Sequence, residues 1–139
     1  MSAPLVLIAD NDRAVSALLA EVLARVGLEV RSVFDGETAR LQARECGVAV
    51  LVCDLDMPRL SGIEVIESLA DLAHPPHVVV VSGYLDGAIQ CRLSAMPYVR
   101  GVLPKPFDLL EFAERVRVLA HAHQAAVAAR PPLAGGTER

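Results

Sequence analysis

The chain has 139 residues, 53% of them hydrophobic, and a formal net charge of −4 from 13 Lys+Arg against 17 Asp+Glu. That length suits one domain with its own core, and the apolar share excludes an intrinsically disordered chain. With basic residues scattered, no Trp, two Tyr and three Phe, no direct nucleic-acid surface is expected.

No apolar run reaches the roughly 18 residues a membrane helix needs, so no membrane span is expected. The N-terminal MSAPLVLIADND has no basic region before its short apolar stretch. That argues against a signal peptide, and a cytoplasmic location is expected. Cys46, Cys53 and Cys91 form no C-x-x-C pair and read as reduced, small hydrophobes.

Two patterns alternate along the chain. Strand-like runs stand at Leu5–Ala9, Val48–Cys53 and Val78–Val81, with weaker ones at Glu29–Phe34 and Val99–Leu103. Runs apolar at nearly every position suit strands buried on both faces, the mark of a parallel sheet. Asp12 can cap a first helix with apolar positions Val15, Leu18, Leu19, Val22, Leu23 and Val26, ended by Gly27. Asp35-Gly36 opens a second, ending near Gly47. Ser61-Gly62 precedes a third, with Ile63, Ile66, Leu69 and Leu72 toward the core and Glu64 and Glu67 off that stripe. His74-Pro75-Pro76-His77 breaks the chain, and the two histidines read as solvated. A fourth helix is expected at about Leu85–Leu93. Asp108 and Glu111 have capping-box spacing for a fifth, running to about His121. Residues 1–121 therefore read as the folded domain. Residues 122–139 read as an Ala-, Pro- and Gly-rich tail that should fray. His121-x-His123 is no metal motif on a helix, because residues two apart face away from each other. The alternation makes the fold class α/β, with five strands and five helices.

In an open parallel sheet, ligands bind beyond the C-terminal ends of the strands. Those ends carry Asp10-Asn11-Asp12, Asp54-Leu55-Asp56-Met57-Pro58, Ser82-Gly83 and Lys105-Pro106. Gathered carboxylates repel unless a hard cation such as Mg²⁺ neutralises them. Lys105 and Ser82 offer a charge and a hydrogen bond to phosphoryl oxygens. An aspartate carboxylate can itself be a phosphoryl-accepting nucleophile. The set points to phosphoryl transfer onto a carboxylate.

From about Leu5 to Leu119 the sequence resembles the response-regulator receiver family of two-component signalling. The resemblance rests on the acids after the first strand, on D-x-x-M-P with a following glycine (Asp54, Met57, Pro58, Gly62), on Ser82-Gly83 and on K-P-F (Lys105, Pro106, Phe107). It implies a flavodoxin-like, doubly wound five-stranded parallel sheet in the order 2-1-3-4-5. It implies a phosphoacceptor signalling domain, not an enzyme with a turnover substrate. Asp54 would take the phosphoryl group from a sensor histidine kinase or a histidine phosphotransfer protein. Asp10, Asn11, Asp54 and the main-chain carbonyl of Asp56 would hold Mg²⁺, Ser82 and Lys105 would contact the phosphoryl group, and Pro106 would follow a cis bond. A downstream protein of unspecified identity is implied, and the fourth- and fifth-helix face is a candidate surface for a homodimer.

Two departures matter. Asn11 stands where the family usually has a second acid, which should weaken the metal site. Val102 stands where many members carry a Tyr or Phe whose rotation reports phosphorylation. These motivate an alternative reading, a non-phosphorylated pseudo-receiver acting as an interaction module. A further alternative comes from Asp54-x-Asp56, which also opens dehalogenase-type phosphatases, although Pro58 and the motif's distance from the N-terminus do not suit them. Tyr84 reads as a loop tyrosine beside the site. No second folded domain is expected after Leu119, so any output should pass through a partner or a surface of this domain.

Overall fold

A computed structural model of the chain describes residues 3–45 and 47–129. In chain order the elements are β1 (Leu5–Ala9), α1 (Arg13–Arg25), β2 (Glu29–Val33), α2 (Gly36–Ala43), β3 (Val48–Asp54), α3 (Gly62–Glu67), β4 (His77–Ser82), α4 (Gly87–Ser94), β5 (Val99–Pro104) and α5 (Leu109–Ala129). The strands form one parallel sheet in the order β2-β1-β3-β4-β5, as the resemblance implied.

Side chains alternate across a strand, so the apolar runs divide between two faces. Val6, Ile8, Val50, Val52, Val79 and Val81 pack with Leu19 and Leu23 of α1 and with Phe112 and Val116 of α5. Leu7, Ala9, Leu51, Cys53, Val78 and Val80 pack with Ala39 of α2, Ile63, Val65 and Ile66 of α3, and Leu93 of α4. Each such Val, Leu or Ile stabilises the fold by roughly 1.5–3 kcal/mol on burial. The two weaker sequence runs are the sheet's edges, β2 and β5, and both are only partly buried. An edge strand has one neighbour and less cover, so its sequence needs less apolar surface.

Short side chains start every helix. Asp12, Asp35 and Asp86 accept main-chain N–H bonds from Val15, Thr38 and Ile89, and Asp108 accepts from Glu111. Ser61 and Glu64 close a reciprocal capping box on α3.

Several sequence expectations are corrected. Leu18 is exposed, because it lies outside the narrow stripe that α1 turns to the sheet. The second helix ends at Ala43 and not near Gly47, and α4 begins at Gly87 because Asp86 is its cap. The fifth helix does not end near His121 but continues through Ala129. Its Ala-rich HAHQAAVAA stretch has high helix propensity, and His123 fastens it to the body of the domain. The His123 ring stands edge-on to His77 with centroids 5.0 Å apart, and its Nε2 lies 3.0 Å from the Pro75 carbonyl oxygen. His77 is thus half-buried and not solvated, while His74 is exposed. The tail from residue 130 onward, like Cys46, lies outside the described residues. Cys53 is buried, but Cys91 is exposed and plays no core role.

Candidate functional site

Parallel strands all leave the sheet in one direction, so their C-terminal ends collect polar groups along a single edge. Chain continuation from β1 delivers Asp10, β3 ends in Asp54, β4 in Ser82, and β5 leads into Lys105. Register places Ala9 beside Cys53, Asp54 beside Val81 and Ser82 beside Pro104. Asp10, Asp54 and Ser82 are 1%, 7% and 5% exposed; with Ser16 they are the buried polar or charged residues among those described. Burying such groups is costly unless they are paired, and the pairing here is mutual.

Lys105 Nζ donates to Asp54 Oδ2 at 3.1 Å and lies 3.6 Å from Asp10 Oδ2, an ion-pair distance. The other Asp54 oxygen accepts the Asp56 N–H at 3.0 Å, and Asp10 Oδ1 accepts the Asp12 N–H at 2.8 Å. Asp10 Oδ2 is buried with no hydrogen-bond partner. Burial pushes the Asp10 carboxyl above the usual range; the Asp12 N–H opposes this and the Asp54 charge adds to it. For Lys105, burial pulls downward, but the Asp54 hydrogen bond and the Asp10 and Asp54 charges outweigh it, so its ammonium is held above the ordinary value. Two carboxylates thus share one cation.

An orphaned buried carboxylate oxygen and a second carboxylate form a donor set for a hard, oxygen-seeking ion, with the Asp56 main chain tied to Asp54 through its N–H. Asn11 and the Asp56 side chain are exposed. No group of three or more His, Cys, Asp or Glu suited to a metal occurs among the described residues. An ion held by one or two carboxylates would retain several waters, the habit of Mg²⁺.

Ser82 belongs to this strand-end row, but its hydroxyl is engaged locally. It donates to the Tyr84 carbonyl at 2.7 Å and accepts the Tyr84 N–H at 3.2 Å. Tyr84 itself is 73% exposed. The Lys105–Pro106 peptide bond is cis. Val102 is half-buried on β5 and lines a groove of about 770 Å³ with Leu85, Gly87 and Leu93 of the α4 side. Cys53, directly before Asp54, is fully buried, and burial raises its thiol far above the usual range, which leaves it unreactive. The sequence reading passed over Asp12 as the donor that orients Asp10. It also passed over the Ser82–Tyr84 turn, which no spacing signals.

The model of the response regulator receiver domain family matches residues 6–117. This chain belongs to that family. Among curated relatives, the transcriptional regulatory protein CpxR of Escherichia coli K12 is 31% identical over 116 residues, covering 82% of this chain and 48% of CpxR. The transcriptional regulatory protein PrrA of Mycobacterium tuberculosis is 32% identical over 120 residues, covering 86% of this chain and 51% of PrrA. The chain thus spans about half the length of these relatives. Among solved structures, a response regulator receiver protein from Pseudomonas putida superposes with a TM-score of 0.76 at 27% identity, covering 85% of this chain and 98% of that one. A CheY-like receiver domain from Methanospirillum hungatei, at 18% identity, shares the fold with a TM-score of 0.81 over 90% of this chain and 99% of its own. The receiver domain described here is therefore a two-component signalling domain of phosphoacceptor type. No helix among its described residues is long and apolar enough to cross a membrane.

Proposed function

We propose that Asp54 of this receiver accepts a phosphoryl group from the phosphohistidine of a sensor kinase or a histidine phosphotransfer protein. The observation that carries this is the Asp54 carboxylate, held at the end of β3 between Lys105 and the Asp56 N–H and beside the orphaned Asp10 oxygen. In the transfer, an Asp54 oxygen bonds to phosphorus as the phosphorus–nitrogen bond breaks, and the imidazole nitrogen keeps the electron pair. Asp10, Asp54, the Asp56 carbonyl and the Asn11 amide would hold Mg²⁺, which when bound shields the approach of one anion to another. Lys105 would exchange its Asp54 contact for a phosphoryl oxygen, at little cost because its ammonium is already in place. Ser82 would turn its hydroxyl from the Tyr84 carbonyl to a second phosphoryl oxygen. That exchange frees the β4–α4 loop and offers a route by which modification reaches the surface a partner reads.

Incubation with Mg²⁺ and acetyl phosphate, followed by intact-mass measurement, is expected to show one added phosphoryl group, absent in Asp54→Ala. No incorporation from acetyl phosphate or from any phosphohistidine donor would overturn the proposal. The pseudo-receiver reading keeps one specific support, the neutral and exposed Asn11. It would gain from partner binding that Asp54→Ala leaves unchanged. Membership in the receiver family removes the reason to carry the dehalogenase-type reading further.

A further inference from the structure

We infer that Gly36, at the start of α2, is a positioning residue for the loop that carries the Asp56 carbonyl. The inference rests on the reading of Asp54 and Asp56 given above. Asp56 is exposed, and its N–H bond to Asp54 Oδ1 says nothing about where its own carbonyl points. That carbonyl lies on the segment 56–60, which is gripped at both ends by close approaches of main chain to main chain.

The inner grip is at Gly62. Its N–H donates to the Leu55 carbonyl at 3.0 Å, and a Cβ on it would overlap the Asp54 carbonyl oxygen and stand 2.6 Å from Leu55 Cα. The outer grip comes from a different part of the chain. The Gly36 N–H donates to the Pro58 carbonyl at 3.1 Å, and a Cβ on Gly36 would overlap the Leu60 carbonyl oxygen and stand 2.6 Å from Leu60 Cβ. Gly36 does not have a positive φ, unlike Gly27 and Gly47. Its own backbone is open to any residue, so what requires glycine is the loop pressed against it.

At the outer grip the loop carries strain. Arg59 has φ of +72°, and the Leu60 N–H closes a three-residue turn onto the Pro58 carbonyl at 2.8 Å. A left-handed φ at a long side chain persists only where its surroundings impose it. The Pro58 carbonyl accepts from both Gly36 and Leu60, so the strained turn is the part of the loop that α2 holds. Met57, buried against the core, fixes the remaining side. A methyl group at position 36 must push Leu60 and Pro58 away from α2, and with the Met57 side chain held in the core the main chain turns about it, which re-aims the Asp56 carbonyl.

The test compares Gly36→Ala with wild type and with Val116→Ala, a core truncation on the opposite face of the sheet, in the full chain. Calorimetric titration with Mg²⁺ alone is expected to show an affinity about tenfold lower for Gly36→Ala. Val116→Ala should lower the melting temperature yet keep the wild-type affinity. Phosphorylation of Gly36→Ala by acetyl phosphate should be slow at low Mg²⁺ and recover at saturating Mg²⁺. Without metal, amide exchange at Leu60 and Gly62 should be accelerated in Gly36→Ala but not in Val116→Ala. Should Gly36→Ala fail to fold, Arg59→Val, whose β-branched side chain disfavours the φ of +72° at that position, opens the turn without overlap at position 36 and is expected to weaken Mg²⁺ binding. Wild-type affinity and wild-type exchange in either loop variant would overturn the inference. A wild-type protein that neither binds Mg²⁺ nor takes up phosphoryl would sink the reading of the site itself, a distinct result.

Discussion

Lys105 and Asp54, 51 residues apart in sequence, meet in a 3.1 Å hydrogen bond across the ends of β5 and β3. That bond neutralises one of two buried carboxylates, and Asp10 depends on the same ammonium at 3.6 Å. Replacing Lys105 with Met leaves both acids facing each other without a cation. Lys105 is 30% exposed, so water screens part of the effect, and a loss of about 1–3 kcal/mol is expected. Urea melts at neutral pH check this, and added Mg²⁺ should restore part of the loss. Unchanged stability would show that the acids do not need the ammonium.

Asn11 offers an amide where a charge would strengthen a cation site. Asn11→Asp is expected to raise Mg²⁺ affinity about tenfold. It should also lower the melting temperature without metal, because a third carboxylate joins Asp10 and Asp54. Paired thermal melts with Mg²⁺ and with EDTA separate the two effects. A melting temperature that moves in the same direction in both conditions would refute this account.

His77 and His123 predict acid sensitivity far from Asp54. Burial, followed by the His123 and Arg100 charges, lowers His77 to about 4, and burial lowers His123 as well. Both groups are neutral in the folded state while the unfolded chain takes up protons near its ordinary value of 6.5. Their contribution is therefore complete above that value and falls as pH drops from 6.5 toward 4. Allowing for partial exposure, the loss is on the order of 1–2 kcal/mol. Melting temperatures across this window should fall in wild type and flatten in His77→Phe, which keeps an aromatic edge against His123. An equal slope in both proteins would place the sensitivity elsewhere.

The fourth helix has one buried residue, Leu93, and its Arg92 pairs in bidentate fashion with Glu67 of α3. So little burial predicts that amides of Gly87–Ser94 exchange faster than those of α5 around Phe112 and Val116. Arg92→Ala should speed that exchange further while leaving the global melting temperature within about 3 °C, as expected for a half-exposed pair. Protection of α4 equal to that of α5 would contradict this.

Much of the molecule is local in origin and was legible in the chain. Alternating apolar runs and helical stripes defined five strands and five helices, because burial on two faces leaves a residue-by-residue trace. Asp12 and Asp108 could be read as caps, since a cap needs only neighbours three residues away. Asp10, Asp54, Ser82 and Lys105 could be placed on one edge, because parallel strands all end in the same direction.

Tertiary structure decided the rest. Strand order depends on which crossovers pack, and only the folded sheet shows β1 between β2 and β3. The extent of α5 depends on His123 meeting His77 across 46 positions of chain, a contact with no local signature. The Asp35-Gly36 pair read as a helix start, which it is, but the reason for its glycine is the Leu60 carbonyl brought against it by the sheet. Sequence determines what each segment can form, because propensity, capping and amphipathicity act over a few residues. Which carboxylate an ammonium neutralises, and which loop a glycine admits, are distances between segments, and only the packed fold sets them.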